Sequence, residues 1–276
     1  DQNTTSIEEL FKAIKSKSRT KNIYIISLTE NQYSGIKSVK GLSEGAIDYI
    51  TKPLNPNLIK AKIDVYKSLY FKDLKINQLL NNIFPDKVLT ELNQNGKFPP
   101  KRIENGAVLF TDFVNFSQKS KEIKPINLLE QLEYYFNQFE VIIARYKLEK
   151  IKTIGDSFMV IGGVTETNQN PAIRACLAAI EIRDFMINEK LIAKALKKDF
   201  WEIRIGIHMG PLVAGIIGTT KMSFDVWGDT VNIASRAEQI SDRNQITITE
   251  NILKNIFDFF QVENRGEMEI KKSGGD

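Results

Sequence analysis

Three apolar stretches, spaced so that helices must connect them, constrain the fold of the larger part of this chain. GAVLFTDF (residues 106–113) reads as a strand ending in an acid, and KIKTIGDSFMVIGG (150–163) as two short strands about a tight turn. EIRIGIHMGPLVAGIIG (202–218) reads as a strand interrupted by glycines. The helical pattern INLLEQLEYYFNQFEVIIARY (126–146) separates the first stretch from the second, and a long helix near 170–190 separates the second from the third. Strand-helix-strand-strand-helix-strand is the order of a split-βαβ, ferredoxin-like α/β (α+β) core. SFDVWGDTVNIASRAEQI (223–240), ITITE (246–250) and a strand near FQVEN (260–264) extend it.

Two acids stand where oily segments end. Asp112 closes the first strand, and Asp156 sits in the turn of the hairpin, three residues beyond Thr153 and four beyond Lys152. Stripping water from a charge costs several kcal/mol or more, so such groups call for partners. In a split-βαβ sheet the first strand lies beside the hairpin, so both carboxylates can converge at one sheet edge. Close carboxylates repel unless a cation lies between them, and hard oxygen donors suit Mg2+ or Mn2+, ions that usually arrive with substrate phosphates. FVNFSQ follows Asp112 and begins a helix, so the backbone amides of Val114, Asn115, Phe116 and Ser117 offer an anion site. Asn232 and Arg236 are four apart and share a helix face, where an amide and a guanidinium suit a sugar and a phosphate. The other reading pairs Arg236 with a nearby acid, Glu238 or Asp242. Asp225, in an apolar strand ending at a glycine, can accept from a base's amino group.

The stretches VLFTDFVNFS, EKIKTIGDSFM, RIGIHMGPLVAGIIG and FDVWGDTVNIASR resemble, in order and spacing, the successive motifs of class III adenylate/guanylate cyclase catalytic domains, and FPDKV resembles their lead-in. The resemblance implies two bound metal ions per site, Mg2+ or Mn2+, held by Asp112, Asp156 and the backbone carbonyl of Phe113. It matches Lys152 and Asp225 to the pair that reads adenine, and Asn232 and Arg236 to the catalytic residues that position the ribose and stabilise the transition state. Guanylate-selective members carry Glu- and Cys-type residues at the base-reading positions. Asp225 facing a guanine carbonyl would cost about 1–3 kcal/mol, so ATP is the expected substrate and an adenylate cyclase, a phosphorus-oxygen lyase, the expected enzyme. The alternatives are a guanylate cyclase and a catalytically inactive nucleotide-sensing or dimerisation module. Each chain holds one copy of each residue set, and the resemblance implies a head-to-tail homodimer with two composite sites. One departure stands out: Ser273 falls where members carry a phosphate-contacting lysine, with Lys271 and Lys272 just before it.

Upstream, residues 7–17 read as an amphipathic helix, NIYIISLTE (22–30) as a buried strand, and SGIKSVKGLSEGA (34–46) as a helical stretch before the strand IDYITKP (47–53). Strands alternating with helices imply a parallel sheet. The pattern resembles the C-terminal part of a response-regulator receiver domain, flavodoxin-like, with Thr29 as switch hydroxyl, Tyr49 as switch aromatic and Lys52 as phosphate-contacting lysine. Asp1 is the only candidate phosphoacceptor. An upstream histidine kinase or phosphodonor is the implied partner. Leu58–Ile83 reads as one helix in which Leu69, Ile76 and Ile83 stand seven apart, while Asp73 interrupts the row of Tyr66 and Leu80. Such a helix either packs on its own domain or forms a parallel dimer stalk. The expected division is a partial receiver over 1–57, a connecting helix over 58–84 and a cyclase domain over 85–276.

A net charge of +4, from 38 basic and 34 acidic residues, is too mild to argue for nucleic acid. No apolar run approaches the ~18 residues of a membrane span, and no secretory leader is visible. The single cysteine, Cys176, lies in an apolar helical pattern and fits a reducing cytoplasm. His208, Trp201 and Trp227 read as packed core residues.

Overall fold

The computed structural model describes residues 7–17, 20, 23–29, 46–164 and 169–268. The chain divides into two compact units, Asp1–Leu80 and Asn81–Asp276.

In the first unit, α1 (Ile7–Ser16) precedes β1 (Ile26–Thr29), β2 (Asp48–Thr51) and the long α2 (Pro56–Asn81). The two strands are parallel, with Ile26 opposite Asp48 and Thr29 opposite Thr51, as strand-helix alternation predicts. Phe11, Ala46 and Ile50 supply the buried apolar side chains. Along its 26 residues α2 buries none, and polar contacts tie it to its own unit. Lys62 and Tyr66 both donate to Asp48, and Tyr24 donates to Asp73. These donors outweigh burial and hold the Asp48 carboxyl below its usual range. The acid that breaks the heptad row is therefore used: Tyr66 and Asp73 face the unit, while Leu69 and Ile76 remain exposed. The stretch 34–45 and Asp1 lie outside the described residues.

The second unit opens with α3 (Asp86–Asn95), which begins within the FPDKV lead-in. It stops at Gly96, whose φ of 68° is left-handed and whose N–H caps the Leu92 carbonyl. Then come β3 (Lys101–Phe113), α4 (Phe116–Lys119), α5 (Pro125–Arg145), β4 (Glu149–Ile154), β5 (Ser157–Gly162), α6 (Pro171–Ala195), β6 (Ile203–Ile217), β7 (Ser223–Trp227), α7 (Asp229–Gln239), β8 (Ile246–Ile248) and α8 (Glu250–Ile256). The predicted split-βαβ order holds. Five strands run β4-β5-β3-β6-β7, and β8 joins β6 in parallel. β3 starts earlier than its apolar stretch and carries a bulge between Ile103 and Gly106. FQVEN forms no strand: Val262 is 47% exposed, so its alternation buries nothing.

Successive strand residues point to opposite sheet faces. Ile203, Ile205 and Ile207 face one core with Leu109, Phe139, Phe158 and Ile182, which brings α5, α6 and α8 onto that face. On the other face lies α7, seated very close. A Cβ at Gly206 would stand 2.0 Å from the Glu238 backbone nitrogen, so only glycine admits the helix there.

Candidate active site

Strand register builds the acid half of the site. β3 runs between β5 and β6, with Thr111 opposite Phe158 and Asp112 opposite Arg204. Asp112 therefore has a neighbour on each side. Ser157 Oγ donates to its Oδ1 at 2.7 Å, and an Arg204 guanidinium nitrogen donates to its Oδ2 at 2.7 Å. The β4–β5 hairpin turns in two residues, and Gly155 takes φ 63°, a conformation glycine adopts freely. That turn brings Asp156 to Asp112. Burial first, and then the Asp112 charge, push the Asp156 carboxyl up to about 6, although hydrogen bonds from its own amide and that of Phe113 oppose the rise. The two acids, Arg204, Phe113 and residues 115–117 line a cavity of about 290 Å3.

One of the four predicted anion-binding amides is already engaged. The Val114 N–H donates to the Glu202 carbonyl at 2.8 Å, which leaves Asn115, Phe116 and Ser117 on the cavity. Behind the cavity, Glu238 of α7 is 4% exposed. Its Oε1 lies 3.1 Å from Arg204 Nε, an ion-pair distance, yet the two are not aligned and neither makes a hydrogen bond. Burial first, and then the Asp112 charge, push the Glu238 carboxyl up to about 7. Sequence does not single out Arg204 or Ser157, and it offers Glu238 only as a partner for Arg236. Only the β3–β6 and β3–β5 registers, which sequence alone leaves undefined, point to the first two.

A second cluster occupies the outer strands. Lys152 of β4 pairs with Asp225 of β7 at 2.5 Å, and Asp225 Oδ1 also accepts from the Val226 amide. Asn232 and Arg236 share one face of α7, as their spacing predicts, and among the described residues neither side chain has a hydrogen bond or ion pair. The acids that sequence offered to Arg236 are engaged elsewhere, Glu238 beside Arg204 and Asp242 with Arg265. None of Lys152, Asp225, Asn232 and Arg236 lines the aspartate cavity. These four residues thus lie outside that cavity.

The remaining expectations divide. His208 is a buried strand residue with Nδ1 2.7 Å from Thr249 Oγ1, and burial lowers its pKa. Cys176 is buried and its thiol is pushed up to about 12. Trp201 is buried and donates to Gln131. Trp227, by contrast, is 37% exposed, because it ends an edge strand whose inward positions are Phe224 and Val226. Tyr49 is exposed on β2, and Lys52 follows that strand. β1 ends at Thr29, while Lys271, Lys272 and Ser273 lie outside the described residues.

A hard divalent ion fits the acid half. Among the described residues no group of three or more His, Cys, Asp or Glu side chains gathers to hold a metal. Two repelling carboxylates beside open cavity leave other coordination positions to backbone or substrate oxygens. No helix among the described residues is long and apolar enough to cross a membrane.

Comparison with known proteins bears on this arrangement. Residues 98–276 match the model of the "Adenylate and Guanylate cyclase catalytic domain" family. The chain is 32% identical over 204 residues to a receptor-type guanylate cyclase of Caenorhabditis elegans, covering 72% of this chain and 18% of that protein. It is 31% identical over 204 residues to an adenylate cyclase of Mycobacterium tuberculosis, covering 71% of this chain and 44% of that protein. It therefore spans less than half the length of either relative. The crystal structure of the adenylyl cyclase CyaB from P. aeruginosa superposes with a TM-score of 0.60 at 28% identity, over 63% of this chain and 91% of that one.

Proposed function

Because the chain belongs to the adenylate and guanylate cyclase catalytic domain family, we propose that it converts ATP to cyclic AMP and pyrophosphate at composite sites of a homodimer. The observation that carries the substrate choice is the Lys152–Asp225 pair. It sets an ammonium donor beside a carboxylate acceptor, matching adenine's ring nitrogen and exocyclic amine. Guanine would set a carbonyl against Asp225, at a cost of about 1–3 kcal/mol. The homodimer rests on the separation of the half-sites: the acids of one protomer would face Lys152, Asp225, Asn232 and Arg236 of the other.

In the reaction the ribose 3′-oxygen attacks the α-phosphorus, and the bond to the β-phosphate oxygen breaks, with pyrophosphate leaving. Mg2+ or Mn2+, two ions per site, would be held by Asp112, Asp156 and the Phe113 carbonyl, and would supply charge that acidifies the 3′-hydroxyl and clamps the phosphates. Amide N–H groups at Asn115, Phe116 and Ser117 donate hydrogen bonds to phosphate oxygens. Asn232 orients the ribose. Arg236 neutralises charge developing on the α-phosphoryl oxygens. We read residues 1–57 as part of a receiver domain, with Thr29, Tyr49 and Lys52 as its switch residues, an upstream kinase or phosphodonor as its partner, and a cytoplasmic setting.

The test is direct. Purified protein incubated with Mn2+ and either ATP or GTP should yield mainly cyclic AMP. Cyclic GMP in excess would overturn the base-pair argument, and no cyclic product from dimeric protein would favour a non-catalytic module.

A further inference from the structure

Arg204 lies between two carboxylates that compete for it. On one side it holds Asp112 Oδ2 in an aligned 2.7 Å hydrogen bond. On the other its Nε stands 3.1 Å from Glu238 Oε1 with the geometry unfulfilled, and both of those buried atoms lack a hydrogen-bond partner. A buried polar atom left unsatisfied destabilises the fold. The protein thus keeps, next to its cation-binding pair, a donor and an acceptor that one small guanidinium rotation would join.

Glu238 is well placed to remain still while Arg204 turns. α7 is pressed against β6 at Gly206, where not even a methyl group fits beneath the Glu238 backbone, and the Glu238 carboxyl is sealed from solvent. Arg204 is less confined, since its side chain is 30% exposed and lines the aspartate cavity. The charges also balance. Asp112, Asp156 and Glu238 against Arg204 sum formally to −2, the complement of one divalent ion.

We propose that Glu238 is a positioning residue that provides a second seat for Arg204, so that the guanidinium leaves Asp112 for Glu238 as a divalent cation enters. The inference rests on the reading of Asp112 and Asp156 as the ion-binding pair. Without the second seat, Arg204 stays on Asp112 and competes with the ion. Glu238 therefore acts through Arg204, touching neither ion nor nucleotide.

The test is a double-mutant cycle on Mn2+ binding to the full chain without nucleotide, with free Mn2+ followed by electron paramagnetic resonance. Glu238→Gln preserves shape and should weaken Mn2+ binding about tenfold. Arg204→Met removes the competitor and should tighten it severalfold. In the Arg204→Met background, Glu238→Gln should change affinity by twofold or less. A Glu238 charge acting through space would weaken binding equally in both backgrounds, and that result would overturn the proposal, as would Glu238→Gln binding like wild type. Thermal melts of all four proteins identify any variant that is merely unfolded, and Glu238→Asp, which keeps the charge on a shorter arm, then replaces it with the same expected direction. Wild-type protein that binds no Mn2+ would refute the ion-pair reading itself, an outcome distinct from a flat cycle.

Discussion

The paired acids and the α7 pair of this chain are held by opposite means. Asp112 has both carboxylate oxygens occupied by strand neighbours, Ser157 and Arg204, and Asp156 is forced against it by a two-residue turn. Arg236 and Asn232, on α7, have no such bonds among the described residues. The acids lie within one chain and carry like-charge repulsion of a kind that a cation relieves. On the proposed reading, the α7 pair meets its acids in another copy of the chain.

That contrast is easiest to break at the acids. Replacing Asp112 by Asn should lower cyclase turnover by roughly a thousandfold, since a bound metal contributes several kcal/mol to the transition state, as measured by cyclic nucleotide formation at saturating Mn2+. Arg236→Ala comes next, with a loss of about a hundredfold to a thousandfold in kcat. Because the Arg236 guanidinium makes no bond among the described residues, the variant's melting temperature should stay at the wild-type value. A large drop in stability would show that Arg236 is structural after all.

A smaller effect tests the base-reading pair. Asp225→Ala removes the carboxylate that a guanine carbonyl would face, and the ratio of ATP to GTP turnover should fall by about tenfold to a hundredfold, from a discrimination of roughly 1–3 kcal/mol. An unchanged ratio would remove the reason to prefer adenine.

The smallest effect concerns stability, and its sign follows from the raised pKa of Asp156. The folded protein holds the Asp156 proton up to about pH 6, whereas an unfolded carboxyl near 3.8 has already lost it. The folded state therefore binds the extra proton between those values, and its stability falls as pH rises through that window. In metal-free buffer at pH 8, Asp156→Asn should melt a few degrees above wild type, and the gap should close towards pH 4. Calorimetry with a chelator present would show it; a variant less stable at pH 8 would mean the repulsion is already compensated.

Sequence carried much of this architecture because hydrophobic segments and their order are local. Asp112 and Asp156 could be brought together on paper, since strand order in a split-βαβ core places β3 beside the hairpin. Asn232 and Arg236 needed only helical spacing. The features that escaped depend on what faces what. Arg204 becomes a partner of Asp112 only through the β3–β6 register, and Glu238 reaches it only because Gly206 lets α7 descend onto the sheet. Val114 is unavailable because its amide donates to the carbonyl of Glu202, the residue just before β6. Trp227 looked like core because its size suggests burial, whereas strand alternation turns it outward. Asp73 appeared as a fault in a heptad until Tyr24 supplied its donor.

The claim that one chain holds two incomplete halves is tested most directly by mixing. Asp112→Asn and Arg236→Ala proteins, each inactive alone, should on mixing and exchange of subunits recover about a quarter of wild-type activity, because half the dimers are mixed and each of those has one intact composite site. Failure to recover activity, with subunit exchange verified, would place both residues in the same protomer's site and contradict the account.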